Sequence, residues 1–448
     1  MSDTGVRSLI RRLVHPAESG TAAARPPRRA LLPVTPLNVP LLLLSVMLLV
    51  SLWATYSLPA SAILVLLTVG GLLVYFGFAG WGARPGGWTI CLGLFGLSGI
   101  VVGAIGLLFT RRVDKIPWLH PVIERVPSPI LGFPPILGFP GAPQGIHPNP
   151  FAGALLWMLP ALLAFLAVLL LRAAAVRREY GLWPTVFSLS ALAGIDLALL
   201  GLLVFLESRS AWFGLAVGLL GMLCLTLPSR WRMATLGLSA LLLVSAAFAV
   251  GNAGDGFLAI DLVGSLAPEG RLELWSRAIY GLQDFPFTGM GMNTFRRILP
   301  VLYPMFQTGP EYDFVHAHNE FLNVGLDLGI PGLIAFLSLY IGSFWMLGSA
   351  WRRAGRPGFG PARFGRLAKV LGKRDYVRTV AAGLTGGLIA HLVFGLTDTT
   401  VLAGAYPFWM ILGLSAALYQ LSGPQGRSRH PVEPPIGASI ATDLARTH

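Results

Sequence analysis

Ten stretches of this chain are apolar for long enough to approach or reach the width of a bilayer, and no other feature limits its fold as strongly. They run approximately over 40–56, 60–80, 88–109, 151–171, 185–206, 211–227, 233–250, 321–349, 379–398 and 405–421. A helix rising about 1.5 Å per residue needs about 20 residues to cross a hydrocarbon layer about 30 Å thick. Hydrocarbon offers the backbone no hydrogen bonds, so each run must pair its own N–H and C=O groups as a helix. The Gly and Pro residues inside several runs do not argue against this, because neighbouring helices re-satisfy the freed groups. The sixth run is short and ends at Pro228. Only 12% of residues are charged and mean hydropathy is +0.68, whereas a soluble globular domain carries about 25% charged residues. The expected fold is all-α: a polytopic integral membrane protein of about ten transmembrane helices, with a large external loop between the seventh and eighth.

The formal net charge of +13 raises the possibility of a nucleic-acid partner. A basic nucleic-acid binder concentrates its charge on a water-soluble face; here the charge lies in tails and in loops between apolar runs, so no nucleic acid is expected. Its placement instead reports orientation. With the N-terminus in the cytoplasm, 24 of the 33 Lys and Arg residues fall in cytoplasmic segments and 9 on the opposite side, as the positive-inside rule requires. Both termini are then cytoplasmic, and segments 110–150 and 251–320 are external. Residues 1–39 lack the apolar core of about 7–15 residues that a cleavable signal needs and are expected to form a disordered cytoplasmic tail. Residues 422–448 form a second such tail, leaving 40–421 as the membrane domain. The basic loop from Arg352 to Arg378 reads as a topology determinant that can also meet anionic lipid. Cys91 and Cys224 sit inside apolar runs and behave as small hydrophobes, with no metal-ligand spacing.

Both external segments exceed the length of ordinary connectors. The first repeats Ile130-Leu131-Gly132-Phe133-Pro134 as Ile136-Leu137-Gly138-Phe139-Pro140, an apolar, Pro-broken stretch suited to lying on the bilayer surface. The second holds a helix-like stretch from Arg271 to Leu282, then Phe285-Pro286 and Gly289-Met290-Gly291, and ends in His316-Ala317-His318-Asn319-Glu320 at the entrance to the eighth apolar run. Ionisable groups at such an edge are costly to keep there.

Their chemistry can be read for a lipid-linked diphosphate sugar handled on the outward face. Bidentate Arg forks suit a diphosphate and its departure, and Arg209 and Arg271 are the outward candidates. An imidazole changes charge near neutral pH and can take the proton of an attacking hydroxyl, which makes His318 a candidate general base. Asn319 and Glu320 can orient it or bind sugar hydroxyls. Plainer readings stand beside these: Arg209 as an interfacial anchor near Glu207, His316 and His318 as a satisfied or adventitious metal pair, and Arg271 with Glu273 as a solvated helix face. Gly289-Met290-Gly291 opens no Walker-type loop and reads as a turn. Asp196, mid-span, is a candidate for proton or ion movement or a hydrogen bond between helices.

These residues resemble the O-antigen ligase and O-antigen polymerase superfamily of bacterial envelope glycan transferases. The likeness lies in Ser208-Arg209-Ser210-Ala211-Trp212 opening a span and in Arg271-Leu272-Glu273-Leu274-Trp275 with Pro286, Gly289, Gly291 and Phe295. It continues through His316 to Leu322 with Gly325, Gly329 and Gly332. Fainter echoes are His147-Pro148-Asn149-Pro150 and His391 through Gly395-Leu396-Thr397-Asp398, and the whole covers about residues 145–400. The resemblance implies a metal-independent, inverting glycosyltransferase of the bacterial inner membrane, needing no cofactor. It implies transfer of a glycan from undecaprenyl diphosphate to an acceptor hydroxyl on a glycan, lipid A core or protein at the external face. Arg209 and Arg271 would hold the diphosphate, and His318 would be the base with His316 supporting. A polymerase that extends the glycan is the alternative within the class. A transporter or flippase of lipid-linked sugars is the alternative outside it, favoured by Asp196 but lacking a visible inverted repeat or paired broken helices.

Overall fold

The computed structural model describes residues 33–84, 86–110, 145–228, 269–306, 314–356, 364–400 and 405–423, with positions 121 and 231. The chain divides into two units, Met1–Val34 and Thr35–His448; the description below concerns the second. The 233–250 run, the Ile-Leu-Gly-Phe-Pro repeat and nearly all of both tails lie outside the described residues.

Fourteen helices and no strand appear among the described residues: α1 Asn38–Ala54, α2 Leu58–Trp81, α3 Gly87–Phe109, α4 Pro148–Leu155, α5 Leu159–Leu171, α6 Ala173–Tyr180 and α7 Leu182–Phe205. There follow α8 Arg209–Thr226, α9 Glu269–Asp284, α10 Phe295–Leu302, α11 Glu320–Ala354, α12 Arg366–Leu371, α13 Lys373–Gly395 and α14 Tyr406–Leu421. Seven spans are long and apolar enough to cross a membrane: α2, α3, α4 with α5, α7, α8, α11 and α13. The protein is therefore an all-α polytopic membrane protein. Helices α1 and α14, of 17 and 16 residues, are shorter but coincide with the first and last apolar runs. Large apolar side chains such as Leu42, Leu66, Leu73, Phe187 and Leu197 are exposed along these helices, the surface that acyl chains cover.

Helix α13 is the axis of the bundle, packing against α5, α8 and α11. Small residues let it do so, since lipid tails supply no hydrophobic drive and close contact must hold the helices together. A Cβ on Gly218 of α8 would stand 2.5 Å from the Gly386 carbonyl oxygen, and one on Gly387 would stand 2.4 Å from that of Trp157. Below the site, Trp157, Phe336, Tyr340, Phe394, Phe408 and Trp409 fill the centre.

Two spans are interrupted, which the sequence reading did not anticipate. The fourth is split at residues 156–158 between α4 and α5, where all residues are apolar. Helix α11 breaks at Gly329, with φ 70° and ψ 178° and Pro331 two residues on. The freed groups there are bridged by the Pro286–Gly291 turn: Met290 N donates to Leu326 O at 2.6 Å, and Ile330 N to Pro286 O at 2.7 Å. A Cβ on Gly289 would lie 2.6 Å from Gly329 N, so the two glycine groups of the 271–332 block are two sides of one junction.

Candidate active site

The site forms where α13 ends. Leu396 N, Thr397 N and Asp398 N turn back onto carbonyls of the last helical turn, and the chain leaves as Thr397-Asp398-Thr399-Thr400. Four distant segments converge on these residues. Ser210, in the first turn of α8, accepts a hydrogen bond from the Thr397 hydroxyl at 2.9 Å. Arg271, in the first turn of α9, donates from Nη1 to the Thr397 carbonyl at 2.9 Å. Asn149, in the first turn of α4, donates its side-chain N–H to Asp398 Oδ2. His318 brings Nδ1 to 3.5 Å from Asp398 Oδ1, long for a hydrogen bond and an ion pair only when the imidazole is protonated. Every one of these segments is on the side that the Lys/Arg distribution assigned to the exterior. At the other set of loops, Arg172 pairs with Asp375 and Arg366 with Glu179.

The histidine segment is held from within. Ala317 is fully buried and its carbonyl accepts from Trp275 Nε1 at 3.0 Å. His318 N donates to His316 Nδ1 at 3.2 Å, and the two rings meet edge to face at 4.4 Å. His318 itself has φ 46°, a left-handed conformation uncommon for a side-chain-bearing residue and often retained where a site needs it.

The charges are strongly coupled. Burial alone would raise the Asp398 carboxyl, but His318, His316 and Arg271 together hold it well below the usual carboxylate range, so it is ionised. Burial, with His318 and Arg271 beside it and only partly offset by Asp398, pushes His316 down to about 4. Burial also lowers Arg271, against the pull of Asp398. His316, His318 and Asp398 can each offer a ligand atom within 4.8 Å of the others, a spacing that could hold a metal ion. The Arg271 guanidinium adds a positive charge beside His316 and Asp398.

Of the residues singled out from sequence, His316, His318 and Arg271 come together. Arg209 opens α8 beside Ser210, half-buried. Asn319 and Glu320 meet the 396–400 loop. Asn319 caps α11, its Oδ1 accepting from Phe321 N and Leu322 N at 3.0 Å each while Nδ2 donates to Leu396 O at 2.9 Å. Glu320 is 2% exposed, and its carboxylate accepts from the Thr399 hydroxyl and from Thr400 N at 2.8 Å. Both tie α11 to the 396–400 loop. Glu273, read as part of a solvated face, is buried and accepts from Phe306 N at 2.6 Å. Asp196 is buried in α7 with neither carboxylate oxygen hydrogen-bonded among the described residues. Asp398 and Asn149 were missed as site residues, although both lie in the two faint echoes.

The fold and site define a helical membrane protein that gathers a histidine pair, a buried ionised carboxylate and a guanidinium at one end of its bundle. Residues 194–337, about a third of the chain, match the family model described as O-antigen ligase. The match supports the O-antigen ligase superfamily and a ligase- or polymerase-like membrane enzyme, of the kind found in the bacterial inner membrane. It contains Arg209, Arg271, His316 and His318; Asn149 and Asp398 lie outside it. No curated protein matches the chain.

Proposed function

We propose that the protein transfers a glycan from a polyprenyl diphosphate, undecaprenyl diphosphate in bacteria, to an acceptor hydroxyl at the external face of the inner membrane. The observation that carries this reading is the approach of His318 Nδ1 to the ionised Asp398, with Arg271 bound to the carbonyl of the preceding residue. Asp398 favours the tautomer with the proton on Nδ1, which leaves Nε2 free to accept one. The acceptor hydroxyl attacks the anomeric carbon, its proton passes to His318 Nε2, and the bond from that carbon to the diphosphate oxygen breaks with its electron pair leaving on the diphosphate. Attack opposite the leaving group inverts the anomeric centre. Arg271 and Arg209 stabilise the charge that develops on the leaving group. The step needs no metal ion, and the acceptor is a hydroxyl of a glycan, lipid A core or protein.

A transport reading draws on Asp196 and on the interrupted spans, because transporters place substrates at broken helices. The break in α11 is filled by the Pro286–Gly291 turn, which disfavours that reading. Purified protein supplied with polyprenyl-diphosphate-linked glycan and candidate acceptors decides between the two. Transfer predicts a new glycosidic product from the wild type and its loss in His318→Ala, commonly about 10²–10⁴-fold for a general base. Movement of intact donor between leaflets without bond cleavage would favour transport. Reporter fusions at Asn293 and Arg366 test the sidedness: external and cytoplasmic, respectively, if the site faces outward.

A further inference from the structure

His391 lies in the last two turns of α13, 1% exposed, and the transfer step proposed above makes no use of it. Its ring stacks on Trp157, with centroids 4.0 Å apart and an interplanar angle of 25°. Both nitrogens are engaged: Nδ1 lies 2.8 Å from the Tyr340 hydroxyl and Nε2 lies 3.1 Å from Thr400 Oγ1. Thr400 in turn reaches Glu320 through its backbone N–H at 2.8 Å. The same carboxylate accepts the Thr399 hydroxyl, and Thr399 N donates to Asp398 Oδ1 at 2.9 Å.

A neutral imidazole carries one N–H and one lone pair, so His391 gives a hydrogen bond to one of Tyr340 and Thr400 and takes one from the other. Bonds of this kind polarise one another in a low-dielectric interior, and each unmade one is costly there. An apolar residue at position 391 would fill the space beside Trp157 but leave Tyr340 and Thr400 each short of a partner.

We propose that His391 is a positioning residue: through Thr400 and Glu320 it sets the conformation of residues 398–400, and thereby the place of Asp398 beside His318. The proposal rests on the transfer reading for its consequence in catalysis, while its effect on the loop is independent of that reading.

Two substitutions separate positioning from packing, because each keeps one end of the imidazole. His391→Gln retains an amide group where Nε2 stood and loses the partner of Tyr340. His391→Asn retains an amide group where Nδ1 stood and loses the partner of Thr400. Both remove the ring that stacks on Trp157. In purified full-length protein, hydrogen exchange over residues 397–400 should accelerate in His391→Asn and stay near wild type in His391→Gln. In the transfer assay, kcat should fall about tenfold in His391→Asn with the donor KM unchanged, and stay within about threefold of wild type in His391→Gln, as expected when only geometry at the reacting centre is lost. Equal exchange in the two variants, whether both fast or both slow, would overturn the proposal. The predicted exchange split without transfer by the wild type would uphold the loop control and remove the transfer reading instead.

Discussion

Replacing Asp398 by Asn changes the charge at the centre of the site while keeping its shape. Asp398 Oδ1 takes a hydrogen bond from Thr399 N at 2.9 Å and Oδ2 takes one from Asn149. An asparagine supplies one oxygen for two donors, so either Thr399 or Asn149 faces an amide NH2, at a stability cost of about 1–3 kcal/mol. The larger effect is on rate. In the Ser-His-Asp arrangement the same Asp-to-Asn change costs about 10⁴-fold, because the imidazole loses the carboxylate that holds its tautomer. At 3.5 Å the coupling here is weaker than at hydrogen-bond distance. A loss of about 10²- to 10³-fold is expected, roughly 3–4 kcal/mol at 1.36 kcal/mol per power of ten. The assay is the initial rate of transfer by purified protein, with thermal unfolding followed in parallel. A second variant isolates the charge: Asn149→Asp combined with Asp398→Asn restores two matched hydrogen bonds but moves the carboxylate to α4. It should recover stability and remain at least about tenfold slow, since charge placement and not hydrogen bonding governs the base. Transfer by folded Asp398→Asn within about threefold of wild type would refute the role given to Asp398.

Arg271→Lys should lower kcat/KM for the donor by about tenfold or more, because an ammonium cannot hold the Thr397 carbonyl and grip a diphosphate with a planar fork; a wild-type rate at limiting donor would contradict this. Gly218→Ala should destabilise the protein by about 1–3 kcal/mol in thermal unfolding through overpacking, since even its Cβ would meet the Gly386 carbonyl at 2.5 Å and the Ala390 Cβ at 2.6 Å. His316 is held at about 4 in the folded protein, below its ordinary value of 6.5, so between those values the unfolded chain binds the extra proton and stability falls as pH is lowered. His316→Asn, which keeps an acceptor for His318 N, should lose less stability than wild type between pH 6.5 and 4; parallel curves over that window would contradict the assignment.

Much of the fold was legible because hydrocarbon leaves the backbone one economical choice, and nine of the ten apolar runs coincide with described helices or helix pairs. The interruptions were less so. Gly329 and Pro331 mark one locally, but Leu156-Trp157-Met158 is uniformly apolar, and the Gly387 backbone that closely meets Trp157 there belongs to another helix far along the chain. In the site, His316 and His318 stood out because ionisable groups beside an apolar run are costly, and Arg271 because an outward Arg fork suits a diphosphate. Asp398 did not, because its partner Asn149 is 249 residues away and no local pattern joins them. The ties of Asn319 and Glu320 to the 396–400 loop were not legible for a related reason: the chain shows that an Asn precedes a helix and a Glu opens it, but not the loop those side chains meet.

The most direct test of the central claim is the balance of products in proteoliposomes carrying the purified protein, polyprenyl-diphosphate-linked glycan and an acceptor hydroxyl. Transfer through the His318–Asp398–Arg271 site predicts one free polyprenyl diphosphate for each glycan joined to the acceptor, at a rate unchanged by EDTA and lost in His318→Ala. Glycan reaching the acceptor without equimolar release of the diphosphate lipid, or release that persists in His318→Ala, would contradict it.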